Sequence, residues 1–288
     1  MESYLAMLRG LLCRNGLARM RADAQAAMAG LGPASPWRAT MLLLEGVANL
    51  LDGHADQADP ILAQAVELAT DAGALPVAST ALAERAIVAM GRQQWREATT
   101  LAEHALAVLQ TGRLNDYFMS PLIHTVAAHT ALHRGDVPAA QDHLVQAARR
   151  RPLLTYAIPP VAVQTLLELG RAYLMLDDAA GARTVLRQAR GILQLRPDLG
   201  VLPDQVEELH AKLDTPRGAI PGVSTLTTAE LRLLPLLATH LHFLEIGQRL
   251  YLSKHTVKTQ AISIYRKLGV SSRSQAVQRL QEIGLLEG

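Results

Sequence analysis

The apolar positions in the first three quarters of the chain fall into helical stretches, and a pair of alanines seven residues apart keeps returning among them. The pairs are Ala58 and Ala65, Ala98 and Ala105, Ala140 and Ala147, and Ala182 and Ala189, with offsets of 40, 42 and 42 residues between successive pairs. Residues two turns apart share a helix face, so each pair marks a face on which a neighbouring helix can approach closely. Leu62, Leu101, Leu144 and Leu186 supply bulk to that same face. Each pair follows an apolar stretch that ends in a break, at Leu50–Gly53, Val88–Gly91, Leu132–Gly135 and Leu174–Asp178. The pattern predicts helical hairpins stacked in series, each burying against its neighbours what one hairpin cannot bury alone. Residues 1–30 are expected to add one more hairpin, and Ser35-Pro36-Trp37 reads as an N-cap with proline at the first helical position.

From residue 214 the pattern changes. Two prolines and two glycines between Asp214 and Ser224 read as a linker, which divides the chain into 1–213, 214–224 and 225–288. Thr227 followed by Glu230 forms a capping box that opens a helix through Leu231, Leu233, Leu234 and Leu237, and Pro235 should kink or shorten it. A second short helix follows at Leu244–Leu250, with Tyr251-Leu252 as the turn. Ser253 then caps a third helix that stops at Gly269. On this third helix Val257, Ala261, Ile264 and Leu268 form the buried stripe, so Lys254, His255, Lys258, Thr259 and Ile262 lie on the opposite side.

Composition bears on this picture in three ways. With 49% hydrophobic and only 3% aromatic residues, and abundant Ala, Leu and Arg, the chain favours helix over strand. From Ser224 onward five Arg and three Lys face four Glu, a net charge of +4, against −2 for the preceding residues. A basic tail suits a polyanion. Cys13 is the single cysteine, which rules out an intrachain disulfide and fits a reducing cytoplasm. It sits in an apolar helical run and should be inert. No signal peptide and no membrane-spanning apolar run is present.

The third helix has the properties of one that lies in a DNA major groove. Lysine and glutamine donate to base edges, and Gln260 has the bidentate geometry suited to adenine. The hydroxyls of Ser253 and Thr256 reach phosphates, and the helix N-terminus is itself an anion site. Tyr265, Arg266, Lys267 and Arg273 extend the backbone contacts. Elsewhere His129 and His133 stand four residues apart with His124 nearby, a spacing that can hold a metal. No glutamate or cysteine completes the set, so they read as surface or groove histidines. Tyr117, Tyr156 and Tyr173 read as packing between hairpins, with a ligand groove as the alternative. Asp177-Asp178 reads as the cap of the following helix. No nucleophile elbow, dinucleotide fold signature or carboxylate pair suggests an enzyme, and no cofactor is expected.

Two resemblances sharpen these expectations. Leu226-Thr227 with Glu230, Glu245-Ile246 with Leu250, Ser253 with Thr256-Val257-Lys258-Thr259, and Ile264 through Val270 with Ser272-Arg273 resemble the LuxR-type DNA-binding domain over residues 226–286. That resemblance implies a four-helix helix-turn-helix domain with Lys258 and Thr259 at base-reading positions and a last helix, from Ser272, available for dimer contacts. The sequence departs from the pattern at Ala229, Pro235 and Gln260, and in the cap segment His242-Phe243-Leu244. The hairpin array resembles tetratricopeptide repeats with a longer period. The order of the two resembles the C-terminal part of large ATP-dependent LuxR regulators of the MalT-like group. No lysine precedes Lys212, so the ATPase phosphate loop of that group is missing, as expected of a shortened relative or of a fragment.

The reading that results is an all-α regulator. A TPR-like solenoid senses a small molecule or protein partner, and a LuxR-type domain binds double-stranded promoter DNA as a homodimer in the cytoplasm, at the nucleoid, in concert with RNA polymerase. The alternative is an interaction scaffold whose tail binds DNA without sequence preference.

Overall fold

A computed structural model describes residues 2–214, 226–239, 241–250 and 252–282, apart from the side chains of Asp214, Thr228 and His255. Among them the chain forms fifteen α-helices and one short 3-10 turn. The chain is all-α, as its composition indicates. It divides into two compact units, Met1–Lys212 and Leu213–Gly288. Of the expected linker, all but Asp214 lies outside the described residues.

The first unit consists of five hairpins and a final helix. They are α1 (Glu2–Leu12) with α2 (Gly16–Gly30), α3 (Arg38–Leu51) with α4 (Ala55–Asp71), α5 (Leu75–Gly91) with α6 (Trp95–Thr111), α7 (Ser120–His133) with α8 (Val137–Arg150), α9 (Pro159–Met175) with α10 (Ala179–Leu195), and α11 (Leu202–Asp214). All eight repeat alanines are fully buried on α4, α6, α8 and α10. Leu62, Leu144 and Leu186 are buried with them, whereas Leu101 is only half-buried. The difference is one of register. Leu101 lies three residues after its alanine, and the position four residues on is Ala102, which is buried instead.

The hairpins form two rows. Helices α3, α5, α7 and α9 pack on one another in succession as well as on their own partners. They form the inner row, and α7 and α9 are surrounded: every residue from Ser120 to Ala131 and from Pro159 to Gly170 is buried. The even-numbered helices bury a single stripe and give their other faces to solvent.

Chain reversal in this unit has one recurring solution. A residue with left-handed backbone stands at Gly53, Gly73, Gln93, Arg113, Gly135 and Asp177. At each, its N–H and that of the next residue turn back onto the preceding helix, as in Gly53 to Leu50 and His54 to Asn49, or Gln93 to Met90 and Gln94 to Ala89. This Schellman closure satisfies carbonyls that the helix end would leave orphaned. The break expected at Gly91 therefore falls two residues later, at Gln93, because Gly91 still belongs to α5. Other local readings also shift. Ser35 is not an N-cap: its carbonyl accepts from Arg38 in a turn around Pro36, and α3 starts only at Arg38. Cys13 lies in the turn after α1, buried, and burial pushes its thiol up to about 11. That makes it a poor nucleophile. Asp178 caps α10 through the Gly181 amide, as its sequence context indicates, and Asp136 does the same for α8 through Ala139.

The segment after α10 runs back to the first hairpins. Val201 donates its N–H to the Leu51 carbonyl at 2.8 Å. Gly200, with φ +59°, lies so close that a Cβ there would stand 2.1 Å from the Leu51 oxygen. Leu199 and Leu202 are buried beside it. This strap joins the last hairpin to the end of α3.

Backbone geometry yields a graded prediction. Gly73 and Gly200 are both left-handed, but a Cβ at Gly73 meets nothing within 4 Å. Gly73→Ala should cost about 1 kcal/mol from the left-handed Cβ alone. Gly200→Ala should cost about 2–4 kcal/mol, because overpacking against backbone adds to that strain. Gln93→Gly and Arg113→Gly should each stabilise by about 0.5–1 kcal/mol. Chemical denaturation of the four variants ranks them.

Candidate nucleic-acid interface

The second unit contains α12 (Thr228–Leu237), α13 (Phe243–Leu250), α14 (Lys254–Leu268) and α15 (Arg273–Glu282). Its first helix opens on the expected capping box. The Thr227 hydroxyl accepts from the Glu230 amide, and Glu230 Oε2 accepts from the Thr227 amide at 2.7 Å. The helix runs through Pro235 and ends two residues later. At the start of the second helix the His242 amide donates to Glu245 Oε2 at 2.6 Å. It begins one residue before the expected Leu244.

The turn between α13 and α14 depends on Gly247. Leu252 donates its N–H to the Gly247 carbonyl at 2.8 Å. A Cβ on Gly247 would stand 2.5 Å from the Leu252 carbonyl oxygen. Ser253 then caps α14, its Oγ accepting from the Thr256 amide at 3.1 Å and lying 2.8 Å from the Thr256 hydroxyl. At the other end Gly269 adopts φ +70° and closes the helix. Val257, Ala261, Ile264 and Leu268 are all buried, with Leu233, Leu234, Leu237, Ile246, Ala276 and Leu280 around them. The stripe assigned from sequence is the core of the unit.

The opposite face of α14 carries Lys254, Lys258, Ile262 and Arg266, each exposed and four residues from the next, with Thr259 exposed beside them. Such spacing lines up one side of a helix. Two lysines and an arginine are thereby presented in a row. Ser253 is exposed and Thr256 half-buried, but their hydroxyls are engaged in the cap. The side chain of His255 lies outside the described residues.

Four other candidates are turned inward. Lys267 pairs with Glu230 across 37 residues, joining α14 to the capping box of α12, and its side chain is only 19% exposed. Burial pushes the Glu230 carboxyl upward, but Lys267, the Thr227 amide and Ser263 outweigh it and hold the carboxyl below its ordinary value. Arg273 donates Nε to the Leu237 carbonyl at 2.8 Å, Nη1 to Leu241 at 2.7 Å, and Nη2 to Leu236 at 3.1 Å and Thr239 at 2.7 Å. Four of its five N–H groups therefore close the end of α12 and the loop beyond. Its guanidinium also lies 6.0 Å from the centre of the Phe243 ring. The Tyr265 hydroxyl and Gln260 Oε1 are buried without a hydrogen-bond partner. Lys267 and Arg273 thus spend donors within the unit, and Tyr265 and Gln260 do not offer their side-chain oxygens outward.

Other candidate residues do not assemble into a site. His129 is buried against Glu168, His133 stacks on Trp95 with ring centres 3.8 Å apart, and His124 faces His143 at 3.4 Å. His124 and His129 are thus buried, not surface, residues. Burial lowers His124 to about 4 and moves His129 in the same direction. Among the described residues no group of three or more His, Cys, Asp or Glu could hold a metal ion. Tyr117 is largely buried, Tyr173 packs by Gly181, and Tyr156 is exposed rather than packed between hairpins. No helix among the described residues is long and apolar enough to cross a membrane.

Three helices with this turn and a capped, outward-facing α14 define a helix-turn-helix domain. Residues 224–280 match the family model described as bacterial regulatory proteins, luxR family. The C-terminal unit is a LuxR-type domain. No curated protein matches the chain. Two crystal structures of kinesin light chain nearly identical TPR-like repeats from Podosopora anserina resemble it. One covers 67% of this chain and 92% of its own at 20% identity and TM-score 0.41, the other 74% and 95% at 19% and 0.39.

The inward pairs are separable from DNA contacts by experiment. Lys267→Met should destabilise the unit by about 2–3 kcal/mol by leaving the Glu230 carboxylate without its partner, seen as faster amide exchange in α12 and α14. Because the folded Glu230 value is depressed, its stabilisation is present above the unfolded value and is lost as pH falls through the folded one. That acid-side loss should shrink in the variant. Arg273→Ala should likewise loosen α12 and α15 while leaving the salt slope of DNA binding unchanged.

Proposed function

We propose that this protein is a transcriptional regulator that binds double-stranded promoter DNA through α14 in the major groove. The observation that carries this reading is the exposed row of Lys254, Lys258, Ile262 and Arg266 on a capped helix of a LuxR-type domain. In the complex Lys258 and Thr259 read base edges. Lys254 and Arg266 neutralise phosphates, and the Ser253–Thr256 cap presents the helix N-terminus to the backbone. His255 adds a contact at that same end. Gln260 takes part only if its amide turns outward.

One recognition helix buries a modest surface, so two domains pair on neighbouring half-sites, with α15 as the pairing helix. The hairpin array, residues 1–213, senses a small molecule or protein partner and governs that pairing, and RNA polymerase is the downstream contact. The chain acts in the cytoplasm, at the nucleoid, without a cofactor or enzymatic step.

The test is capture of fragmented genomic DNA by the full chain and by Lys258→Ala at matched salt, followed by sequencing. Discrete sites lost in the variant are expected. Uniform, strongly salt-dependent binding in both would identify a tail that does not read sequence. At a site so found, Lys254→Ala should weaken binding evenly across sequences and reduce the logarithmic salt slope by about 1.

A further inference from the structure

An open cavity of about 580 Å3 lies within the first unit between the inner row, the starts of α4 and α6, and the strap with α11. This is the size at which pockets take small organic molecules. Leu50, Leu51, Ile87, Met90, Trp95 and Met175 supply apolar wall. The polar lining comes mainly from α9, where Gln164, Glu168 and Arg171 lie one turn apart, together with His129 of α7.

Most charges here are matched. Arg92 donates to Asp56 at 2.6 Å and to Asp59 at 3.2 Å, and Arg85 also donates to Asp59, at 2.8 Å. Arg171 pairs with Glu168 and donates to Gln205 at 3.1 Å. His129 donates Nε2–H to the Glu168 carbonyl at 2.9 Å, and its burial favours the neutral ring. Glu84 is different. It is fully buried on α5 behind Gln164, and its hydrogen bond comes from a neutral group, Gln164 Nε2 at 2.8 Å. Its Oε1 and the Gln164 Oε1 are both buried without partners. Gln164 lines the cavity and Glu84 stands behind it, so the pair holds two buried acceptors without partners, one of them on a carboxyl group with no cation against it. Unpaired buried acceptors cost about 1–3 kcal/mol each, and a donor-bearing guest recovers that cost.

We infer that this cavity binds a small organic cation, a protonated amine with an apolar body, whose ammonium group is received by Gln164 and Glu84 while Trp95, Met90 and Met175 enclose the rest. An ammonium has donors for both oxygens and supplies the charge that Glu84 lacks. Gln164 rotates to admit it. The inference deepens the sensor reading above, since it gives the hairpin array a ligand class. Burial pushes the Glu84 carboxyl up to about 7, with Gln164 pulling it down and Glu168 pushing it further up. An arriving cation reverses that shift, so binding near neutral pH releases a proton.

The probe is phenethylammonium, titrated calorimetrically into the full chain in phosphate and in Tris, beside 2-phenylethanol and 3-phenylpropanoate. The amine alone should bind, with a heat that differs between the buffers by the proton released. Glu84→Gln should weaken it about tenfold and abolish the buffer difference. Met175→Trp, at the half-exposed wall, should exclude the amine without touching the buried pair, which covers the case where Glu84→Gln does not fold. No heat at millimolar amine, or equal binding of the alcohol, overturns the cation site and leaves the DNA reading intact. Amine binding that does not change affinity for a promoter site keeps the cation site and overturns the sensor reading.

Discussion

The left-handed residue that follows six helices of the array, α3 to α7 and α9, is the constraint from which the first unit follows. From Gly53 to Arg113 it recurs every twenty residues, at Gly53, Gly73, Gln93 and Arg113. At the first three of these a three-residue turn reverses the chain after helices of about four to five turns. A reversal that short leaves successive helices in contact along their whole length. Only small residues then fit where they meet, and alanine occupies those positions on α4, α6, α8 and α10. The regularity lapses between α6 and α7 and again between α8 and α9, where longer connections intervene. The Schellman closures at Gly135 and Asp177 still preserve the hairpins beyond.

This explains which parts of the fold could be read from sequence. The alanine pairs, the Thr227–Glu230 box, the Ser253 cap and the Gly269 stop are local and carry a residue-type signal, and all are where the sequence puts them. Gln93 and Arg113 carry no such signal. Neither residue type announces a left-handed turn, so the break near Gly91 reads two residues early and the twenty-residue beat stays hidden. The strap is hidden for a different reason. Val201 and Gly200 meet Leu51 across 149 or more residues of chain, and no short-range pattern encodes that contact.

In the DNA-binding unit the same distinction separates charge from function. Every basic residue of the tail raises its net charge equally, yet Lys267 and Arg273 spend their donors on Glu230 and on the carbonyls at the end of α12 and just beyond it. The helical period alone could not remove them from the DNA-facing set, since both lie at the end of α14 or beyond, where partners come from another helix. What remains outward, Lys254, Lys258 and Arg266, is a smaller set held by a stiffer frame. Arg273 fixes the end of α12, Lys267 joins α14 to the start of α12, and Gly247 lets the turn close. A base-reading side chain is effective only to the extent that its helix is held in place.

The cavity occupies a comparable position in the array. Its walls come from α3, α5, α7 and α9, from the starts of α4 and α6, and from the strap and α11, so a guest inside touches elements from the second hairpin to the last helix. A ligand can shift a conformational equilibrium only by its difference in affinity between the two states. A site confined to one hairpin would give little difference, because each hairpin packs the same way whatever its distant neighbours do. A site walled partly by the strap draws part of its binding free energy from contacts that the strap supplies. The unpaired Glu84 and Gln164 oxygens add to this coupling, since they are tolerated in the empty unit at a cost that the occupied one no longer bears.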